Sequence, residues 1–154
     1  MPGGYGLESE PTEEMVPWSA VGKQLADARN YWIVTASPTG RPHAMPVWGL
    51  WLDGAFYFST DPSSRKAQNL AANPRLVVHL ESGDDVVILE GAAEQLSGES
   101  VPSGFADAYD AKYGFRFDPS DPAIGVYRLR AHVVLAWREK DFPKSATRYR
   151  FEGT

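Results

Sequence analysis

The chain has 154 residues, 43% of them hydrophobic and 12% aromatic, enough for one domain with a substantial core and too few for two. Fifteen Lys and Arg against 20 Asp and Glu give a formal charge of -5, which excludes the broad basic surface of a non-specific nucleic-acid binder. No cysteine is present, so disulfides, thiol nucleophiles, iron–sulfur clusters and thiolate zinc sites are ruled out, and redox chemistry has to be borrowed from a cofactor.

Residues 1–15 hold four acidic residues, three glycines and two prolines, a composition that buries little apolar area. They are expected to form an arm outside a domain spanning 16–154. No apolar run approaches the ~20 residues of a membrane helix, and no basic region followed by an apolar stretch opens the chain. A cytoplasmic protein with no membrane partner is the expectation. From Trp18, WSAVGKQLADARN offers Ser19 as an N-cap and Val21, Leu25 and Ala28 at helical spacing, ending near Asn30. YWIVTAS, dense in aromatic and β-branched residues, reads as a strand from Tyr31 to Ser37, stopped by the turn residues Pro38-Thr39-Gly40. RPHAMPVWGLWL reads as a second strand, bent or at an edge because Pro46 lies inside it. Asp53-Gly54 then predicts a hairpin into AFYFST.

The segment DPSSRKAQNLAANP predicts a compact helix capped by Ser63 or Ser64, with Ala67 and Leu70 inward and Asn73-Pro74 ending it. RLVVHLE and DVVILEGAAEQL follow as antiparallel strands joined through Ser82-Gly83-Asp84. A helix is expected between Pro102 and Tyr113, a loop over FDPSDPAIG, and strands over GVYRLRAHVVLAWRE and TRYRF. About six strands at hairpin spacing with short helices between them argue for a mainly β protein built on a small antiparallel barrel.

Ser63-Ser64-Arg65-Lys66, directly after AFYFST, is the sharpest chemical feature. A helix N-terminus presents free N–H groups and partial positive charge, and hydroxyls, a guanidinium and an ammonium added there make a phosphate site. Cations in a first turn oppose the helix dipole, and an anionic ligand resolves the conflict; the alternative is an exposed basic pair lying over the barrel. Trp48, Leu50 and Leu52 share one strand face, Gly49 and Trp51 the other, so both faces carry large rings that a planar ligand, a second protomer or plain core would cover. Phe56 and Phe58 read as core. Gly49 suggests close approach by a ligand or another backbone. His43, His79 and His132 fall on three predicted strands without metal-ligand spacing, so no metal site is expected. No GxSxG marks a nucleophile, and Asp84-Asp85 reads as a solvated turn. Trp137, Lys144, Arg148 and Arg150 gather aromatic and cationic groups near the C-terminus, which suit an anionic aromatic molecule or, equally, a terminal strand with solvated charges.

Taken together, the run YWIVTASPTGRPHAMPVWGLWLDGAFYFSTDPSSRKAQNLAANPRLVVHLESGDDVVILEGAAEQL resembles the flavin and deazaflavin oxidoreductases of the split β-barrel superfamily, the pyridoxamine 5′-phosphate oxidase-like proteins. Within it, this run and the closing WREKDFPKSATRYRF are most similar to the actinobacterial branch that binds the deazaflavin coenzyme F-420. The resemblance implies a six-stranded antiparallel split β-barrel of the FMN-binding type. It implies that Ser64, Arg65 and Lys66 hold a cofactor phosphate, with Asn69 one turn later. Met45, Pro46, Val47 and Trp48 would lie along the tricyclic ring, Ser59 and Thr60 at the neighbouring strand end. It also implies a homodimer whose opposite subunit supplies Trp137 and Arg148. The implied function is hydride transfer between reduced F-420 and an unsaturated organic small molecule. FMN is the alternative cofactor, and a cofactor-binding protein without turnover the alternative role. His43 and Tyr57 are candidate proton donors. The sequence departs from the vitamin B6 oxidases where their terminal Arg-x-His motif reads Arg148-Tyr149-Arg150, which puts that substrate in doubt.

Overall fold

Alternation of apolar residues places one face of nearly every strand in a single interior. On β1 (Tyr31–Ala36), Tyr31, Ile33 and Thr35 are buried while Trp32, Val34 and Ala36 are partly exposed, the period-2 signature of a half-buried strand. The structure, a computed structural model, describes residues 15–116, 118 and 120–151. The arm expected over 1–15 lies outside the described residues except for Met15.

Eight strands form one sheet: β1, β2 (Pro42–Val47), β3 (Gly49–Leu52), β4 (Ala55–Thr60), β5 (Arg75–His79), β6 (Asp85–Leu96), β7 (Gly125–Arg138) and β8 (Thr147–Arg150). Their order is β2-β1-β5-β6-β7-β4-β3, with β8 added to β7, and every pairing is antiparallel. The sheet curls around a core that includes Ile33, Phe56, Phe58, Val78, Leu89 and Leu129, giving a mainly β split barrel. The expected count of about six is corrected to eight: each of the seven segments named from the sequence forms strand, and RPHAMPVWGLWL divides in two at Trp48. Its first half pairs with β1 and its second with β4, and the chain turns from one end of the sheet order to the other at that residue.

Local chemistry explains the turns and helices. Asp53 and Gly54 both have positive φ, 49° and 77°, as a two-residue type I′ hairpin requires. Helix α1 (Trp18–Asp27) starts from Pro17, not Ser19, since a proline next to the first turn has no N–H to leave unsatisfied. Helix α2 (Arg65–Ala72) is capped by Ser64, whose hydroxyl accepts from the Ala67 N–H. Helix α3 (Phe105–Tyr113) ends at Gly114, whose φ of 69° suits glycine alone at low cost.

Each face of β3 packs against one of this chain's own helices. Trp51 meets Trp18 of α1 at 6.3 Å, while Leu50 and Leu52 pack with Phe105 and Tyr109 of α3. Gly49 is needed for protein packing: a Cβ there would lie 2.5 Å from the Phe56 ring and 2.8 Å from the Tyr57 carbonyl.

Two features frame the site. β2 and β3 are the two ends of the strand order, so the barrel has a seam between them. β3 pairs β4 only as far as Phe58, leaving Ser59 and Thr60 with β7 on one side and the seam on the other. The second feature is the outer face of β1, β5, β6 and β7, where Trp32, Val34, Val77, Ile88 and Trp137 are only partly buried. The helices instead insert Val21, Leu25, Ala67 and Leu70 into the interior.

Candidate functional site

Helix α2 begins at the unpaired end of β4 and packs back against β1, so it bridges the mouth of the seam. Thr60, the last residue of β4, donates its hydroxyl to Ser64 Oγ at 3.1 Å. Ser64 Oγ also accepts from the Ala67 N–H at 3.2 Å. A serine hydroxyl has two acceptor positions and one proton; both acceptors are occupied, so the proton is available to an incoming acceptor.

The backbone N–H groups of Arg65 and Lys66, at the first two helical positions, have no intrahelical partner. Neither side chain makes an ion pair among the described residues. Burial without a counter-charge holds the Lys66 ammonium below its ordinary pKa. Asp61, the nearest carboxylate in sequence, accepts from the Ser63 N–H and hydroxyl, both at 2.8 Å, and those bonds keep its pKa low. Hydroxyl and free amides thus stand at the start of α2 with no bonded counter-ion, and a guanidinium and an ammonium follow in the first turn, a donor set that suits a phosphate.

Asn69, one turn further along α2, is buried and donates to Thr35 Oγ1 of β1 at 3.0 Å. Thr35 faces His43 across the β1–β2 pair, and Met45 is the next residue of β2 on that face, 43% exposed. His43 Nδ1 is buried and has no hydrogen-bond partner among the described residues, a state that costs about 1–3 kcal/mol. The sequence reading did not single out Thr35. Its signal was a polar residue in phase with the inward-facing Tyr31 and Ile33.

The other sequence candidates are distributed as follows. Pro46 lies opposite Trp32, on the outer face of β2, and Val47 opposite Tyr31, on the inner one. Trp48 stacks on Tyr113 of α3, ring centroids 4.6 Å apart, with the Arg29 guanidinium 5.4 Å from its centroid. Ser59 points away from Thr60 and hydrogen-bonds Tyr109 of α3, whose phenol burial pushes up and that bond partly restores. Tyr57 is buried at 5% exposure against Phe105, on the α3 face and not the Thr60–Ser64 face. Trp137 lies twelve positions beyond Gly125, the partner of Thr60, which is roughly 40 Å along the strand; its ring meets Phe142. Arg148 sits opposite Leu135, also far along β7. One copy of the chain therefore links Thr60 to Ser64 and Asn69 through Thr35 to the strand position of His43, with Arg65 and Lys66 on the same helix, and leaves Trp137 and Arg148 far along β7.

A second cationic group lies beneath α3. Lys112 Nζ donates to Tyr31 Oη at 2.8 Å and to the Gly49 carbonyl at 3.1 Å. Tyr113 Oη donates to the Arg29 carbonyl at 2.7 Å and accepts from the Gly49 N–H at 3.0 Å. Burial lowers the Lys112 ammonium to about 8 and pushes the Tyr31 phenol up. A surface hollow of about 380 Å³ between α1 and the β5–β6 turn is lined by Asp27, Arg29, Glu81 and Asp85 among others, a lining with more carboxylates than cations.

A profile of the family described as pyridoxamine 5′-phosphate oxidase matches residues 18–154. The chain belongs to the pyridoxamine 5′-phosphate oxidase family. Within that family, a pyridoxine/pyridoxamine 5′-phosphate oxidase of Anaeromyxobacter dehalogenans is 35% identical over 115 residues, 73% of this chain and 53% of that protein. One from Bacteroides thetaiotaomicron is 29% identical over 140 residues, 86% of this chain and 66% of that one. The chain thus spans between about half and two thirds of the length of these curated relatives. Among solved structures, a conserved hypothetical protein from Mycobacterium tuberculosis superposes with a TM-score of 0.68 at 24% identity, covering 84% of this chain and 90% of that one. A structure described as an F420 reductase gives 0.58 at 17%, covering 73% and 94%. At these identities the structural likenesses bear on the fold, and both share the split barrel. No helix among the described residues is long and apolar enough to cross a membrane.

Proposed function

We propose that this member of the family is a coenzyme F-420-dependent oxidoreductase acting in the cytoplasm on an unsaturated organic small molecule. The observation that carries the reading is the start of α2. Ser64 has both acceptor positions filled and its proton available, and Arg65 and Lys66, without an ion pair among the described residues, follow it in the first turn of the helix, a donor set suited to a phosphate. When bound, the cofactor would supply hydride-transfer chemistry that no side chain here provides. The chain's own residues bind and orient. Ser64, Arg65 and Lys66 would hold the phosphate, Asn69 and Thr35 fix α2 against β1, and the ring would lie along the Met45, Pro46, Val47 and Trp48 segment, meeting Met45 and Val47 on its inner face, with Ser59 and Thr60 at the facing strand end.

The reading includes a homodimer. The partly buried apolar outer face with Trp32, Val34, Val77 and Ile88 is the kind of surface a second copy covers. The distance of Trp137 and Arg148 from α2 in one copy is consistent with their serving the site of the other. Sedimentation at micromolar concentration should give twice the chain mass, and a monomer would overturn this part.

FMN is the second reading, because the same donors fit its phosphate and the curated relatives carry the oxidase name. Arg148-Tyr149-Arg150, where a histidine partner is absent, weighs against vitamin B6 oxidation. Fluorescence titration of the purified protein with oxidised F-420 and with FMN decides: F-420 bound more tightly supports the proposal, and FMN bound more tightly replaces it. Stoichiometric F-420 binding with no hydride transfer across a broad substrate panel would make the protein a carrier instead of a reductase.

A further inference from the structure

The buried imidazole nitrogen of β2, Nδ1 of His43, makes no hydrogen bond among the described residues. His43 lies on the inner side of the seam, directly across from Thr35. Thr35 uses its hydroxyl oxygen to accept from Asn69 and makes no bond to His43. Nδ1 is shielded from solvent yet unsatisfied, although native structures rarely leave such an atom alone without a functional reason. The other two histidines contrast with it: His79 Nδ1 is bonded to the Leu80 carbonyl at 2.8 Å, and His132 is exposed.

The same strand pair ties His43 to the phosphate end of the site, because Thr35 is fixed by Asn69, which lies on the helix that begins with Arg65 and Lys66. A planar heterocycle whose phosphate sits at the start of α2 would extend toward β2. A flavin or deazaflavin ring has N–H and C=O groups along one edge. We infer that His43, through Nδ1, is a hydrogen-bonding contact for the polar edge of the heterocycle seated in the seam, and so a specificity-determining residue. The inference rests on the cofactor reading above and goes beyond it by assigning this atom a partner.

The test separates the two. Long-range ¹H–¹⁵N NMR spectra of the full chain, with and without oxidised F-420 and FMN, should show the His43 Nδ1 resonance moving on binding while those of His79 and His132 stay. His43→Leu should weaken the bound cofactor about tenfold, the loss of one hydrogen bond, while leaving the thermal midpoint of the free protein unchanged or raised, because an unsatisfied polar atom has been removed. His43→Asn, whose amide reaches near the Nδ1 position, should keep affinity within about threefold; His43→Gln, which reaches nearer Nε2, should not. Cofactor binding with a static His43 resonance, or His43→Leu binding as well as the wild type, overturns this inference and leaves the cofactor reading standing. Equal losses in Asn and Leu variants with lowered thermal midpoints would show a structural role and overturn it too. Failure of the wild type to bind either cofactor overturns both.

Discussion

The start of α2 and the underside of α3 each hold a pair of cations, and they use them differently. Beneath α3, Lys112 gives its donors to Tyr31 Oη and the Gly49 carbonyl, and Arg29 lies over the Trp48 and Tyr113 rings. At α2, Arg65 and Lys66 meet no carboxylate and no ring among the described residues, beside a serine whose proton is uncommitted. The first pair closes internal accounts of hydrogen bonding; the second leaves them open. Residue type alone does not separate a structural cation from a ligand-binding one, whereas the inventory of its partners does.

The sharpest way to break this contrast is Arg65→Ala/Lys66→Ala. Affinity for the phosphate-bearing cofactor should fall roughly 10²- to 10⁴-fold, the loss of two charge-assisted contacts, while folding stability stays within about 0.5 kcal/mol or rises, because these cations oppose the helix dipole. Parallel ligand titration and urea unfolding measure both, and a large stability loss would contradict the assignment. Gly49→Ala tests the opposite region: the 2.5 Å approach to Phe56 should cost about 1–3 kcal/mol of overpacking strain, read as a lower urea midpoint. Ser64→Ala should lower both quantities, with about 1 kcal/mol of stability lost with the cap and a measurable drop in affinity.

The smallest effect concerns pH. Lys112 is lowered to about 8 from its ordinary 10.5, so between those values the unfolded chain binds more protons than the folded one. Stability therefore rises with pH through that window. Lys66, also lowered by burial, acts in the same direction. Above about pH 10 the trend reverses, because the unfolded chain ionises Tyr31 while burial keeps it protonated in the fold. In Lys112→Met the rise between about pH 8 and 9.5, followed by urea midpoint, should shrink without change in cofactor affinity.

Much of this arrangement was legible in the sequence because its signals are local. Asp53-Gly54 specified its hairpin through φ, the cap of α2 was narrowed to Ser63 or Ser64 by a hydroxyl near the first free N–H groups, and β1 was marked as a strand by its aromatic and β-branched residues. What escaped were relations between segments distant in the chain. Trp48 divides a strand because its two halves pair with different neighbours, which no local pattern encodes. Both Trp51 and Trp48 were open to a ligand, a second protomer or plain core, and the fold separates them: Trp51 packs on Trp18 of α1, while Trp48 stacks on Tyr113 of α3 and stays 37% exposed. Ser59 and Thr60 are adjacent in sequence, and the pleat sends them to opposite faces, one to Tyr109 and one to Ser64.

The prolines of β2 carry a last consequence. Pro42, Ala44 and Pro46 share one phase of an edge strand. Proline is tolerated there only where its missing N–H faces away from the partner strand. Two of the three amides that would point out from the free edge of β2 therefore do not exist. The barrel cannot zip itself shut along this line, nor can a stray strand easily add to it. The edge of β2 is kept unpaired by subtraction of hydrogen-bond donors from a strand that would otherwise offer them.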